Sequence, residues 1–429
     1  MKTSFVHIAD VHLGNRQYGL DERFDDFGRA FADAVDRAID RRVRFVLIAG
    51  DLFHRRAVEP LALRQALHAL KRLREAAIPV IAVDGNHDRA LSADAYPWTR
   101  FLSDEGYLTL LDAIQPGQGV RYAPWDPETG IGSWVDVEGV RVVGQQYLGA
   151  SAGAACAGMA AQMAEAGRRA AYVVFLCHAG LEGVIPSYPG CLPYEALTPL
   201  RQHVDYVALG HIHRRYARDG WVYNPGSLEV CGFDEADAEH GFHVVDVDTA
   251  SPERHRVLYE PAKRRPFVRL RLDVGGCDSP AEVDRAVERA AAAAARADGG
   301  ASPVAEVALT GQLRFRAAEL DLRALEAVAR QALGALHVEM RCHAAIPGVD
   351  PDEYREFSRD ELETAVLTAL FGRDERRRAN ASRWADLARG VKDLALADAS
   401  PEAIAETVER AACGLRAAHT AAAAEQAPC

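Results

Sequence analysis

No apolar run in this 429-residue sequence is long enough to cross a bilayer. Its first ten residues lack a basic region, an apolar stretch and a small-residue cleavage site, so no export signal is expected. The eight cysteines form no CxxC pair and no zinc-finger spacing. Scattered in a chain of this size, they predict reduced thiols and a cytoplasmic location, not a disulfide framework. Positive charge is also in deficit, and a net charge of −12 argues mildly against nucleic acid as a partner. The sum conceals clustering, for Arg214 and Arg215 adjoin, as do Lys263, Arg264 and Arg265. Because Arg outnumbers Lys throughout, any one such cluster reads first as a solvated face.

What is present is the balance of a globular protein, 49% apolar and 26% charged, in a length that predicts two or three domains. Ser4–Ala9, Phe45–Ala49, Val80–Val83, Ala171–Leu176 and Tyr206–Leu209 are continuous apolar runs, as buried strands require. Amphipathic stretches lie between them, among them 24–41, with Phe24, Phe27, Phe31, Ala34, Val35 and Ala38 at helical spacing, and 60–76, which opens on Pro60. Residues 151–170 are small and Ala-rich, suiting a helix or a mobile surface segment. The alternation predicts an α/β layer fold over residues 1–262. Beyond a Pro- and Arg-containing connector, 263–345 reads as a small α+β domain, with strands at 267–274, 304–316 and 337–343 and helices at 279–297 and 320–336. A linker at Ile346–Pro351 leads to a helical region, 346–429, where Ser358 and Glu361 form a capping box, Gly372 sits at a helix C-cap, and Leu362, Val366, Leu367 and Leu370 share a face.

Five short motifs each follow a predicted strand: Asp10-Val11-His12; Gly50-Asp51-Leu52-Phe53-His54; Gly85-Asn86-His87-Asp88; Cys177-His178-Ala179; and Gly210-His211-Ile212-His213. Ligands of open α/β sheets bind at the carboxyl ends of strands, so motifs far apart in sequence can converge there. Mixed imidazole, carboxylate and amide oxygen suit manganese, iron or zinc. In Asp10-x-His12 and His211-x-His213, a two-residue spacing aims both side chains one way if the backbone stays extended. One carboxylate can bridge two ions roughly 3.5–4 Å apart. Taken singly, each motif has a plainer reading as a turn, a helix cap or a core histidine. Five in one order, all at strand ends, make coincidence the weaker explanation.

These motifs resemble the signature of the calcineurin-like metallophosphoesterases: DxH, GDxx, GNH(D/E), H and GHxH. Ala9-Asp10-Val11-His12-Leu13-Gly14, Asp51-Leu52-Phe53-His54, Asp84-Gly85-Asn86-His87-Asp88 and Asn224-Pro225-Gly226-Ser227-Leu228 look like the SbcD-type DNA repair exonuclease branch, not the phosphoprotein phosphatases. The resemblance implies a calcineurin-like two-layered β-sandwich flanked by helices, with a small α+β capping domain and a helical C-terminal segment. It implies two divalent ions, manganese by family habit. Asp10, His12, Asp51 and His213 would hold one and Asp51, Asn86, His178 and His211 the other, with Asp51 as the bridge. His87 would stand near the scissile phosphate, oriented by Asp88, with His54 contacting phosphate or assisting His87.

The implied reaction is phosphodiester hydrolysis, with DNA as substrate and an SMC-like coiled-coil ATPase docking on the C-terminal helices. A homodimer is compatible with the family habit. Arg214, Arg215, Lys263, Arg264 and Arg265 are the expected phosphate contacts. Two alternatives stand beside this reading: a phosphodiesterase or phosphatase acting on nucleotides or other small phosphoesters, and a non-catalytic DNA-end tether.

Overall fold

The computed structural model describes residues 1–89, 96–115, 119–167, 170–186, 188–295, 302–344, 358–373, 377–397 and 399–411. The expected linker Ile346–Pro351 and the Ala-rich stretch beyond residue 411 lie outside the described residues. The chain divides into two compact units. The first comprises Met1–Asp273, Ala281–Thr310 and Asp321–His343, and the second Val274–Pro280, Gly311–Leu320 and Ala344–Cys429.

Two six-stranded sheets organise the first unit. The strands of these two sheets are β1 (Lys2–Ile8), β2 (Phe45–Ala49), β3 (Val80–Val83), β4 (Thr109–Leu110), β5 (Trp134–Val137), β6 (Val140–Gln145), β7 (Tyr172–Cys177), β8 (Tyr206–Leu209), β9 (Tyr216–Arg218), β10 (Val222–Asn224), β11 (Gly241–Asp248) and β12 (His255–Pro261). One sheet runs β12-β11-β1-β2-β3-β4 and the other β9-β10-β8-β7-β6-β5. The strands β1, β2 and β3 are parallel, as are β6, β7 and β8, so each set ends together.

Alternating side chains on these strands enter different cores. Phe5, Phe45, Leu47 and Ile81 meet Val142, Tyr172, Val174 and Tyr206 between the sheets. Val6, Ile8, Val46 and Ile48 turn outward onto helices α1 (Asp21–Asp40) and α2 (Pro60–Glu75), which bury Phe31, Ala34, Val35, Ala66, Leu70 and Leu73 against them. A third core joins Val173, Phe175, Val207 and Leu209 to Cys156, Met159 and Met163. Burial on both faces explains why these strands read as unbroken apolar runs, each large side chain contributing about 1.5–3 kcal/mol. The result is the expected two-layered β-sandwich flanked by helices. The Ala-rich segment is a helix on its outer face, Ala152–Ala166, whose small residues allow close packing.

A three-stranded parallel sheet also belongs to this unit: Phe267–Asp273, Val304–Thr310 and His337–Cys342. Phe267 and Val304 pack with Val230 and Phe233 in one small core. The second strand ends at Thr310, short of the expected Arg316, because the chain turns at Gly311 with φ +91°. The following helix is Leu322–Leu333, trimmed at both ends relative to expectation. The Asp321 side chain caps its start, and Gly334 closes it in a left-handed conformation.

In the second unit, helices Arg359–Arg373 and Ala381–Leu396 pair through Lys392 and Glu363 at 2.6 Å. The Ser358–Glu361 capping box forms. Gly372 lies inside its helix instead of capping it. Leu362, Val366 and Leu370 are exposed. No helix among the described residues is long and apolar enough to cross a membrane.

Candidate metal centre

Strands β1, β2 and β3 of one sheet and β7 and β8 of the other are each followed by one of the five motifs. Backbone amides stitch the motifs together. Asp10 donates its N–H to Gly50 (3.2 Å) and His12 to Asp51 (3.0 Å). The His211 N–H reaches both Asp10 oxygens at 3.0 Å, and the His87 N–H meets Asp51 Oδ1 at 2.8 Å.

The expected extended backbone is not what aims the donors. Asp10, His12 and Asp51 have φ 52° and His211 φ 77°. Side chains enter the site from left-handed turns because the loops are tied to one another and not continued as strands. Such conformations cost roughly 1–3 kcal/mol each in non-glycine residues and cluster at functional sites. The flanking glycines answer a demand for space. A Cβ on Gly85 would overlap the Asp51 carboxylate, and one on Gly210 the Ala49 carbonyl.

Three histidines have one ring nitrogen committed outward. His178 donates Nδ1–H to the Ala49 carbonyl and His211 donates Nε2–H to the Pro189 carbonyl, both at 2.6 Å. His213 donates Nδ1–H to Glu235, also at 2.6 Å. Their other nitrogens face common partners. His178 Nε2 is 3.2 Å from Asn86 Oδ1 and 3.5 Å from Asp51 Oδ2, and His211 Nδ1 is 3.0 Å from the same Asn86 oxygen. His213 Nε2 lies 3.0 Å from His12 Nε2 and 3.9 Å from Asp10 Oδ1. His12 Nε2 lies 3.9 Å from Asp51 Oδ2, and its buried Nδ1 has no hydrogen-bond partner among the described residues. Two nitrogens bound at right angles to one ion at about 2.0–2.1 Å stand about 3 Å apart, so these spacings suit shared cations. The outward ties are the kind that fix metal-ligating histidines.

Charge in this pocket is strongly perturbed. Burial raises Asp10 to about 6 despite His213 and His178. Burial opposes the ionised Asp51 too, yet His178 and His12 outweigh it and hold that carboxyl well below the usual range. His178 is driven to about 9, burial being outweighed by Asp51, whereas burial and then His178 lower His211 to about 4. Asp10 and His178 are 0% exposed and Asp51 and His12 2%. Divalent cations placed among these buried carboxylates and imidazoles would be compensated by charge and by ligand atoms together.

Residues 3–215 match the calcineurin-like phosphoesterases. This segment is a calcineurin-like phosphoesterase domain. Relatives include the DNA double-strand break repair protein Mre11 of Archaeoglobus fulgidus, 47% identical over 20% of this chain and 19% of that protein. Another is the Mre11 protein of Aeropyrum pernix, 30% identical over 63% of each. The chain therefore spans less than two thirds of the length of these curated relatives. Among solved structures, the calcineurin-like phosphoesterase YfkN from Bacillus subtilis is 13% identical at a TM-score of 0.39, over 61% of this chain and 90% of that one.

The phosphoesterase domain brings all seven sequence-predicted donors into one cluster and sets His87 beside it. The His87 ring is 5.0 Å from that of His12 and stacks on His54 at 5.5 Å. Asp88 does not orient that ring. Its carboxylate accepts backbone N–H bonds from Leu52 (3.2 Å), Phe53 (3.0 Å) and Gly85 (3.0 Å), bracing two motif loops, while His87 donates Nδ1–H to the His54 carbonyl at 2.7 Å. Burial, then His87, lowers His54 to about 4.

The expected phosphate contacts fare unevenly. Arg265 makes a two-point pair with Asp26 at 2.6 and 3.0 Å and is an internal strut, not a free cation. Lys263 pairs with Asp33 at 3.2 Å, and Arg264 donates to the Arg265 carbonyl at 3.3 Å. Arg215 pairs with Glu239 at 2.6 Å and lies over Tyr259, and Arg214 donates to the Asp234 carbonyl at 2.9 Å. Missed in the sequence were Glu235, which anchors His213, and Tyr147 and Tyr188, whose rings are each 5.3 Å from His211. Glu235 sits in a short irregular turn, with no motif to mark it.

Proposed function

We propose that the protein is a manganese-dependent DNA exonuclease of the SbcD or Mre11 type, hydrolysing phosphodiester bonds during DNA repair in the cytoplasm. The observation that carries this reading is the convergence of Asp10, His12, Asp51, Asn86, His178, His211 and His213, with His87 alongside. The archaeal Mre11 relatives support DNA as substrate. The exposed stripe Leu362, Val366 and Leu370 supports docking of an SMC-like coiled-coil ATPase. A second copy of the chain is compatible with the same reading.

One position would be held by Asp10, His12, Asp51 and His213, and the other by Asp51, Asn86, His178 and His211. Divalent ions bound there supply Lewis acidity toward a phosphoryl oxygen and an attacking water near neutral pH. The protein's own part is preorganisation. Outward hydrogen bonds keep His178, His211 and His213 in one tautomer with a lone pair inward. Asp51 keeps Oδ2 toward His12 and His178 while the His87 amide steadies Oδ1. With Nδ1–H given to the His54 carbonyl, His87 has Nε2 left, and in the doubly protonated ring that nitrogen can pass its proton to the departing sugar oxygen and return to the neutral form. The stacked His54 ring limits its rotation.

The test is end-labelled linear duplex DNA with manganese, run beside small nucleotide phosphoesters, comparing wild type with His87→Ala. Nucleotide release from DNA by wild type alone is expected. Turnover of small phosphoesters but not DNA would favour the small-substrate phosphodiesterase. DNA-end binding with no hydrolysis by wild type would favour the tether.

A further inference from the structure

The donors read from the sequence are nitrogen and oxygen alone, but sulfur also reaches the centre. A ligand atom from each of His12, His213 and Cys231 lies within 4.8 Å of the other two. One carboxylate sets this arrangement. Glu235 accepts Nδ1–H of His213 on Oε1 at 2.6 Å and the backbone N–H of Cys231 on Oε2 at 3.0 Å. His213 is thereby left with Nε2 toward His12, 3.0 Å away, and Cys231 is held beside the same pair of rings. The thiol's backbone acceptor is distant, the Glu229 carbonyl at 3.9 Å.

Resting on the two-metal reading above, we propose that Cys231 is a thiolate ligand of the ion held by His12 and His213. On ligation the S–H proton passes to solvent and a sulfur lone pair enters the coordination shell. A sulfur donor makes this position the softer of the two, raising its affinity for zinc or cobalt relative to the other position. The position of Asp51, Asn86, His178 and His211 has no sulfur in its donor set and keeps the harder preference. The centre is thus chemically asymmetric, and Glu235 sets that asymmetry by gripping an imidazole with one oxygen and the cysteine backbone with the other.

The full chain, stripped of metal under reducing conditions, is titrated with cobalt(II). Wild type should develop a near-ultraviolet thiolate-to-cobalt charge-transfer band. Cys231→Ser should lose that band while keeping the visible bands of cobalt bound by nitrogen and oxygen. Visible bands alone in wild type, or a near-ultraviolet band that survives in Cys231→Ser, overturn the proposal and leave the two-metal reading standing. Absence of any cobalt binding overturns both. A check independent of the variant is X-ray absorption at the zinc edge of zinc-loaded wild type. A sulfur scatterer at about 2.3 Å is expected, and a shell of nitrogen and oxygen only refutes the thiolate ligand.

Discussion

Gly85 lies directly against Asp51, so closely that a methyl group on Gly85 would overlap the Asp51 carboxylate and crowd its backbone amide. The Asp51 carboxylate is therefore positioned by the absence of a side chain. Gly85→Ala should displace Asp51 and abolish tight binding of divalent ions while the sheet cores stay folded. Metal content measured beside circular dichroism checks this. Two ions retained per chain would mean that the loop yields without moving the ligand.

His87 touches the cluster without belonging to it. His87→Ala should leave metal content unchanged and lower turnover by about 10²–10⁴-fold, the usual contribution of a positioned acid or base. Full activity on labelled DNA would remove His87 from the reaction.

Glu235 holds Nδ1 of His213 at 2.6 Å. Glu235→Gln replaces an anionic acceptor with a neutral one, and should weaken divalent-ion affinity on the order of 10–100-fold, as loss of such supporting contacts does. Calorimetric titration gives the affinity, and excess metal should restore hydrolysis. Unaltered affinity would reduce Glu235 to a bystander.

His7 is fully buried between the Tyr206 hydroxyl and the Leu209 carbonyl, each at 3.0 Å. Burial, only partly offset by the Leu209 carbonyl, pushes its pKa down from 6.5 to about 3. Between those values the unfolded chain binds the extra proton. Stability from the neutral ring is therefore complete above pH 6.5 and is lost as pH falls toward 3. By pH 5 the loss is about 2 kcal/mol. His7→Gln should flatten the pH dependence of urea denaturation between pH 7 and 5 by that amount. Identical dependences in both proteins would exclude His7 as the source.

The strands and the side chains that converge at their ends were legible in the sequence for separate physical reasons. Strands buried on both faces must be continuously apolar, as Phe45–Ala49 and Tyr206–Leu209 are. Imidazole, carboxylate and amide side chains in a fixed order, each after a strand, mark residues that meet. What escaped was decided by partners remote in sequence. The left-handed turns at Asp10 and His12 depend on amide bonds to Gly50 and Asp51. Arg265 is claimed by Asp26, 239 residues away. Asp88 looked like the partner of its neighbour His87, but the amides of Leu52, Phe53 and Gly85 lie within its reach. Glu235 has meaning only once Cys231 and His213 meet across it.

The cluster draws Asp10, His12, Asp51 and Asn86 from loops of one sheet, and His178, His211 and His213 from the other. A cation at either position is therefore a rivet through both halves of the sandwich. Chelation would slacken the joint between layers as well as silence the chemistry, so thermal resistance and catalytic competence would fade together as metal is withdrawn.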